Sequence, residues 1–282
     1  MDILVSTDWL DQNRDADDLV ILDASAHLPS ANRDPAAEFL AQHISGARYL
    51  DLPSLKDANS PVPSALPRLD QFEDRLRELG VRSTDRVVLY DDSALHSSAR
   101  AYFIFRMFGF GKTAILDGGL NKWIAENRAV ETGILPVTPS DFTADTDDRS
   151  RVRSKAQMLG NCTSCDEQVV DARDAGRFTG EASDTVHGLA GGHIPGARNL
   201  HFARLFNDDG TFKSRSGLRE IFAECGLDLE KPIIGSCGSG MTASVLLFAL
   251  ELLGKGDAAL YDGSWSEWGA DPLTPKEEGP AR

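Results

Sequence analysis

The 282-residue chain has few cysteines, only Cys162, Cys165, Cys225 and Cys237. Secreted domains stapled by disulfides use cysteine far more densely, so these four are expected as thiols in a reducing compartment, the cytoplasm. Long apolar runs are missing too. No segment approaches the roughly 20 apolar residues that span a bilayer. The opening Met1-Asp2-Ile3-Leu4-Val5-Ser6-Thr7-Asp8 has neither the basic start nor the apolar stretch of a secretory leader. Basic residues are in deficit: 29 Lys and Arg against 44 Asp and Glu give a formal net charge of −15. With no basic cluster to meet a phosphate backbone, nucleic acid is set aside as the main partner. Finally, Cys162-Thr163-Ser164-Cys165 has no second pair at zinc-ribbon spacing. A structural zinc needs four ligands, so no metal or other cofactor is expected, and a redox role is the pair's alternative use.

What is present is a duplication. Asp23-Ala24-Ser25 follows the apolar run Leu19-Val20-Ile21-Leu22 as Asp171-Ala172-Arg173 follows Val169-Val170. His43-Ile44-Ser45-Gly46-Ala47-Arg48 is echoed by His193-Ile194-Pro195-Gly196-Ala197-Arg198, and Leu116-Asp117-Gly118-Gly119 by Tyr261-Asp262-Gly263-Ser264. The offsets, about 145 to 150 residues, predict two copies of one domain in succession, and a hydrophobic fraction of 41% suffices for two cores. Each copy alternates short β-branched runs with helical stretches: Arg86 to Tyr90 reads as a strand before a helix from Ala99 to Phe108, and Pro232 to Gly235 as a strand before a helix from Thr242 to Leu253. That pattern predicts α/β domains, each with a mainly parallel sheet flanked by helices. Residues 1–134 form the first, 135–155 read as a polar, proline-containing linker, and 156–282 form the second, with an extended or frayed tail after Pro272.

The strand ending at Gly235 runs into Ser236-Cys237-Gly238-Ser239-Gly240-Met241-Thr242 just before the apolar helix. A cysteine there sits at a strand end and a helix N-terminus, with glycines that let successive N–H groups converge on one point. Such a cradle favours a thiolate or persulfide over the neutral thiol and makes Cys237 the candidate nucleophile. Ser239 and Thr242 supply hydroxyls beside it. The alternative is a small buried hydrophobe, as free cysteines often are. Cys225, by contrast, reads as helix-end packing, His43 and His193 as a structural pair common to both copies, and Trp265 and Trp268 as packing residues.

Cys237-Gly238-Ser239-Gly240-Met241-Thr242-Ala243 resembles the active loop of the 3-mercaptopyruvate sulfurtransferases, within the tandem rhodanese family; Gly192-His193-Ile194-Pro195-Gly196-Ala197 and Tyr261-Asp262-Gly263-Ser264-Trp265 resemble other motifs of that family. The resemblance covers nearly the whole chain. It implies two tandem rhodanese-like domains, the first silent, with an active site in the cleft between them. At the 145-residue offset of the Asp-Gly motifs, Asp92 falls at the cysteine position. It further implies catalysis by Cys237 with Ser239, and substrate binding by Arg177 and by Gly238, Gly240, Met241 and Thr242. Sulfur would pass from the donor to a Cys237 persulfide and on to a thiol, thioredoxin or cyanide. Thiosulfate-preferring members carry basic residues after the cysteine, which suit a dianion; Gly238 and Ser239 are neutral, which favours monoanionic 3-mercaptopyruvate, its carboxylate held by the Arg177 fork. Where many members have a second substrate arginine, this chain has Val186, with His187 beside it. Rhodanese-like phosphatases need a loop arginine where Ala243 and Ser244 stand here, which argues against phosphate chemistry. The remaining alternatives are a thiosulfate-specific enzyme and a non-enzymatic sulfur relay.

Overall fold

The computed structural model describes residues 1–281. They form two compact units: the first takes Met1–Asp57, Leu66–Asp148 and Phe206–Phe212, the second Ala58–Ala65, Arg149–Leu205 and the chain from Lys213 on. In the first, Leu19-Val20-Ile21-Leu22-Asp23 has no polar alternation and is buried throughout, as a strand covered on both faces must be. The unit's strands are β1 (Leu4–Val5), β2 (Leu19–Asp23), β3 (His43–Ile44), β4 (Arg48–Tyr49), β5 (Arg86–Tyr90), β6 (Thr113–Leu116) and β7 (Val130–Glu131). Five make a parallel sheet in the order β1-β6-β5-β2-β4, and β3 pairs antiparallel with β7.

The second unit repeats the plan. Its strands β8 (Val152–Arg153), β9 (Gln168–Asp171), β10 (Arg198–Asn199), β11 (Ile233–Ser236) and β12 (Ala259–Tyr261) form a parallel sheet in the order β8-β12-β11-β9-β10, which is the first order strand for strand. The antiparallel pair reappears as a single bridge between His193 and Glu277. The expected α/β class with mainly parallel sheets is what forms. After β5 comes a helix, Ser98–Met107, and after β11 a helix, Met241–Leu252, in which all but Met241 and Glu251 are buried. A helix apolar on every side can lie only inside, here against its own sheet.

The histidine pair does the same packing job twice. His43 stacks on Phe39 at 3.9 Å and pairs Nδ1 with the Phe39 carbonyl at 2.7 Å; His193 stacks on Phe178 at 3.8 Å and pairs Nδ1 with the Phe178 carbonyl at 2.9 Å. Trp265 and Trp268 belong to the second core, their indole N–H groups donating to the carbonyls of Ala190 and Pro275.

Three expectations are revised. Residues 135–155 are not a free linker: Phe142 is 1% exposed and packs edge-on against Phe72, whereas Val152–Arg153 is already the edge strand of the second sheet. The tail is not frayed, because Glu277 bridges His193 and the Gly279 N–H donates to the Thr179 carbonyl at 2.7 Å. And the residue equivalent to Cys237 is Asp91 rather than Asp92. Asp23 pairs with Tyr90 as Asp171 pairs with Ser236, so the next residue is Asp91 in one sheet and Cys237 in the other. Correspondingly, the Asp91 carbonyl accepts from Leu120 N–H as the Cys237 carbonyl accepts from Trp265 N–H. The one-residue slip arises because the loop and the Asp-Gly motif are separated by one residue more in the first copy.

The first unit also carries a pH signature. Burial pushes Asp23 from an ordinary 3.8 up to about 6, and does the same to Asp117. Each therefore binds its proton more tightly folded than unfolded. Their contribution is full below the unfolded value and is lost as the pH rises through about 6. The expected result is that Asp23→Asn flattens the fall in stability between pH 5 and 7.5 by about 1–3 kcal/mol. Denaturant titrations at the two pH values check this; an unchanged slope would show that Asp23 holds its proton no more tightly than an exposed carboxyl.

Candidate active site

Cys237 follows the last residue of β11 at the carboxyl end of the parallel sheet, the edge at which open α/β sheets present their ligands. It is 1% exposed. The loop after it is clamped from one side by Ser264 and its neighbours. The Ser264 hydroxyl accepts the N–H groups of Cys237 and Gly240, each at 3.1 Å, and donates to the Tyr261 carbonyl at 2.8 Å. Trp265 and Ser266 donate their N–H groups to the carbonyls of Cys237 and Gly238. Two of the amides expected to face an anion are thus committed to Ser264. Among the described residues, the N–H groups of Gly238, Ser239, Met241 and Thr242 meet no protein acceptor. With the N-terminus of the twelve-residue helix Met241–Leu252 they are a run of free donors, the kind that suits an anionic sulfur or carboxylate.

The two loop glycines are required for different reasons. Gly240, which caps the helix, lies at φ +79°, where a side chain is strained. Gly238 is needed for space: a Cβ there would stand 2.2 Å from Cε1 of His187. The His187 ring therefore lies directly on the loop, one residue from Cys237. Its Nδ1 is 2.9 Å from Oδ1 of Asp184, a carboxylate with no exposed surface. Burial drives the Asp184 carboxyl up, but the His187 hydrogen bond and the charges of His187, Arg177 and Arg173 outweigh it and hold the group below the usual carboxylate range.

Arg177 reaches the same carboxylate. Its Nη1 is 3.6 Å from Asp184 Oδ1 and its Nε 2.5 Å from Asp174 Oδ2, while 23% of its side chain is exposed. Its position follows from local sequence: Asp174 caps the short helix Ala175–Thr179 by accepting the Arg177 N–H at 3.1 Å. Arg173 is a buried strut, bound through Nε and Nη2 to Asp171, through Nη2 to the Gly192 carbonyl, and stacked 4.6 Å from the Trp265 ring. Burial works against its charge, but Asp171, Asp184 and Cys237 itself favour it, and the net effect is a guanidinium that holds its proton more tightly. Arg173 is thus a buried guanidinium within electrostatic reach of Cys237.

A family model described as the rhodanese-like domain matches residues 6–126 and again 154–271. The chain belongs to the rhodanese-like family. Among rhodanese-like relatives, a 3-mercaptopyruvate sulfurtransferase of Escherichia coli K12 is 39% identical over 97% of this chain and 97% of its own. A thiosulfate sulfurtransferase of Cricetulus griseus is 37% identical over 94% and 91%. The crystal structure of SseA from Escherichia coli, a 3-mercaptopyruvate sulfotransferase, superimposes with a TM-score of 0.85 at 37% identity, over 94% of this chain and 99% of that one.

The rhodanese-like fold thus places Cys237, Gly238, Ser239 and Gly240 in a loop that runs into Met241 and Thr242 at the start of the following helix, and connects Arg177 to it through Asp184 and His187. Cys162 and Cys165 lie elsewhere, at the end of the helix Lys155–Ser164, and Cys225 ends the helix Arg215–Glu224 with its Sγ donating to the Phe222 carbonyl. Sequence reasoning noted His187 only as the neighbour of Val186 and gave no role to Asp184 or Ser264. Ser264 was detectable, because it stands in a repeated motif where the first copy has Gly119. Asp184 was not: nothing in Glu181-Ala182-Ser183-Asp184 marks a buried carboxylate. Among the described residues no helix is long and apolar enough to cross a membrane, and no cluster of metal-binding side chains occurs.

Proposed function

We propose that this rhodanese-like chain is a sulfurtransferase that takes sulfur from 3-mercaptopyruvate onto Cys237 and passes it to an acceptor thiol, thioredoxin or cyanide. The carrying observation is the chemistry around Cys237: a buried sulfur beside four unengaged N–H donors, in a loop with no cationic side chain, with one arginine fork on the Asp184–His187 side. The thiolate attacks the donor sulfur, the carbon–sulfur bond breaks, and Cys237 is left as a persulfide with pyruvate released; the acceptor then removes the outer sulfur. The persulfide anion lies where Gly238, Ser239, Met241 and Thr242 offer their N–H groups, Ser239 adds a hydroxyl, and Arg177 turns from its aspartates to the donor carboxylate. The four cysteines are all free thiols, which suits a reducing compartment such as the cytoplasm.

Relatives named for thiosulfate and for mercaptopyruvate both match this chain, so the donor is decided by the site. A neutral loop offers a thiosulfate dianion no extra charge, whereas one guanidinium matches one carboxylate. Steady-state assays with each donor under matched conditions test this, the expected result being a higher kcat/KM for mercaptopyruvate. Arg177→Gln should raise its KM about 10–100-fold, the loss of one charge-assisted bidentate contact worth about 1.5–3 kcal/mol. A thiosulfate preference would overturn the donor assignment, and an unchanged KM would remove Arg177 from it.

A further inference from the structure

The side chains beyond the loop stand in a definite spatial sequence. Arg177 Nη1 and His187 Nδ1 meet the same oxygen, Oδ1 of Asp184, at 3.6 and 2.9 Å, and Cε1 of the His187 ring, between its two nitrogens, rests on Gly238, next to Cys237. The series guanidinium, imidazole, cysteine sulfur matches the order of groups along a 3-mercapto-2-oxo acid: carboxylate, keto oxygen, carbon-bound sulfur. An anionic carboxylate can only accept, so Nδ1 carries the hydrogen of the Asp184 bond and Nε2 is left to face a bound molecule. Among the described residues Nε2 has no partner, and 17% of the side chain is exposed. Asp184, wholly buried, fixes the ring's angle as a carboxylate behind a catalytic imidazole does.

We infer that His187 is a further catalytic residue, the proton donor to the keto oxygen of the sulfur donor in the first half-reaction; this rests on the reading of the donor as 3-mercaptopyruvate. When the Cys237 thiolate takes the outer sulfur, the electron pair of the broken carbon–sulfur bond passes into a carbon–carbon double bond and the charge moves to the keto oxygen. The Nε2 proton of the imidazolium goes to that oxygen. The products are the enol of pyruvate, which becomes pyruvate in water, a Cys237 persulfide still carrying the donor's thiol hydrogen, and a neutral ring. The persulfide then returns its hydrogen to Nε2, so the charges and protons of the cycle close. Sulfur discharge to cyanide starts from the already ionised persulfide and creates no such oxygen anion, so it draws no proton from His187.

Separating the half-reactions tests the assignment. Rapid-quench mass spectrometry follows persulfide formation on Cys237 from mercaptopyruvate; fully loaded enzyme, obtained from the slow variant by long incubation, is then discharged with cyanide. His187→Ala should slow loading about a hundredfold, the usual loss for one donor to a developing oxyanion. Its KM should change far less than in Arg177→Gln, and discharge should keep the wild-type rate. His187→Gln, which restores an N–H donor, should recover part of the loading rate. Equal slowing of both half-reactions would reduce His187 to a prop for Gly238 and overturn the assignment, as would unchanged loading. If wild-type enzyme forms no persulfide from mercaptopyruvate, the donor reading fails first and this one with it.

Discussion

Cys237→Ser should reduce sulfur transfer to the uncatalysed level, a fall of at least about 10⁴-fold, because serine cannot carry a sulfane sulfur and no other group in the loop can replace it. Cys162→Ser and Cys165→Ser, alone or together, should leave the rate at the wild-type value. The contrast has a physical basis in the four thiols. Burial pushes the Cys225 thiol up, and it is spent as a donor to the Phe222 carbonyl; burial likewise pushes Cys162 up, next to Cys165 at a helix end. Cys237 alone stands at a sheet's carboxyl edge, beside loop N–H groups without a protein acceptor and within electrostatic reach of Arg173. Turnover with mercaptopyruvate, together with mass spectrometry of enzyme quenched before acceptor is added, decides the matter: wild type and the Cys162 and Cys165 variants should gain one sulfur atom, and Cys237→Ser none. Activity surviving in Cys237→Ser would remove the persulfide from the mechanism.

The distance between sequence and structure is instructive at particular residues. The strand ending at Ser236 and the helix from Met241 were legible because both are local: a short β-branched run, a glycine-bearing turn, then twelve residues of apolar sequence. The duplication made the two copies of one domain legible as well, though not their strand order. What was not legible is what depends on burial. Asp184 acts because it is enclosed and shared by His187, Arg177 and Arg173, and enclosure is a property of the folded chain. The slip between Asp91 and Asp92 has a similar origin: motif spacing counts residues, whereas a sheet counts hydrogen-bonded pairs, and a loop one residue longer changes the first without changing the second.

That corrected register makes the loops after β5 and β11 directly comparable. In the first unit Asp91 pins its own loop, its carboxylate accepting the N–H groups of Ser93 at 2.9 Å and Ser98 at 2.8 Å. The position matching Ser264 is Gly119, where even a Cβ would come 2.4 Å from the Asp91 carbonyl oxygen. In the second unit the residue at the Asp91 position must be a bare sulfur, so the pin has moved to the opposite side of the loop and become Ser264. Both Ser264 and Gly119 have left-handed backbones, at φ +48° and +56°, and alanine suffers there as serine does. Ser264→Ala therefore isolates the hydroxyl. It leaves the buried N–H groups of Cys237 and Gly240 without an acceptor and the Tyr261 carbonyl without that donor. The expected cost is about 2–4 kcal/mol of stability, read from denaturant unfolding followed by tryptophan fluorescence, since Trp265 is adjacent. Persulfide formation should slow about 10–100-fold, because Cys237 and the four open N–H groups lose the anchor that sets their spacing. The two measurements must move together. A stability loss with the loading rate intact would mean that the segment Trp265–Ser266, through its own N–H bonds to Cys237 and Gly238, holds the loop by itself; a slowed rate in an equally stable protein would mean that the hydroxyl acts on the reacting sulfur and not on the loop.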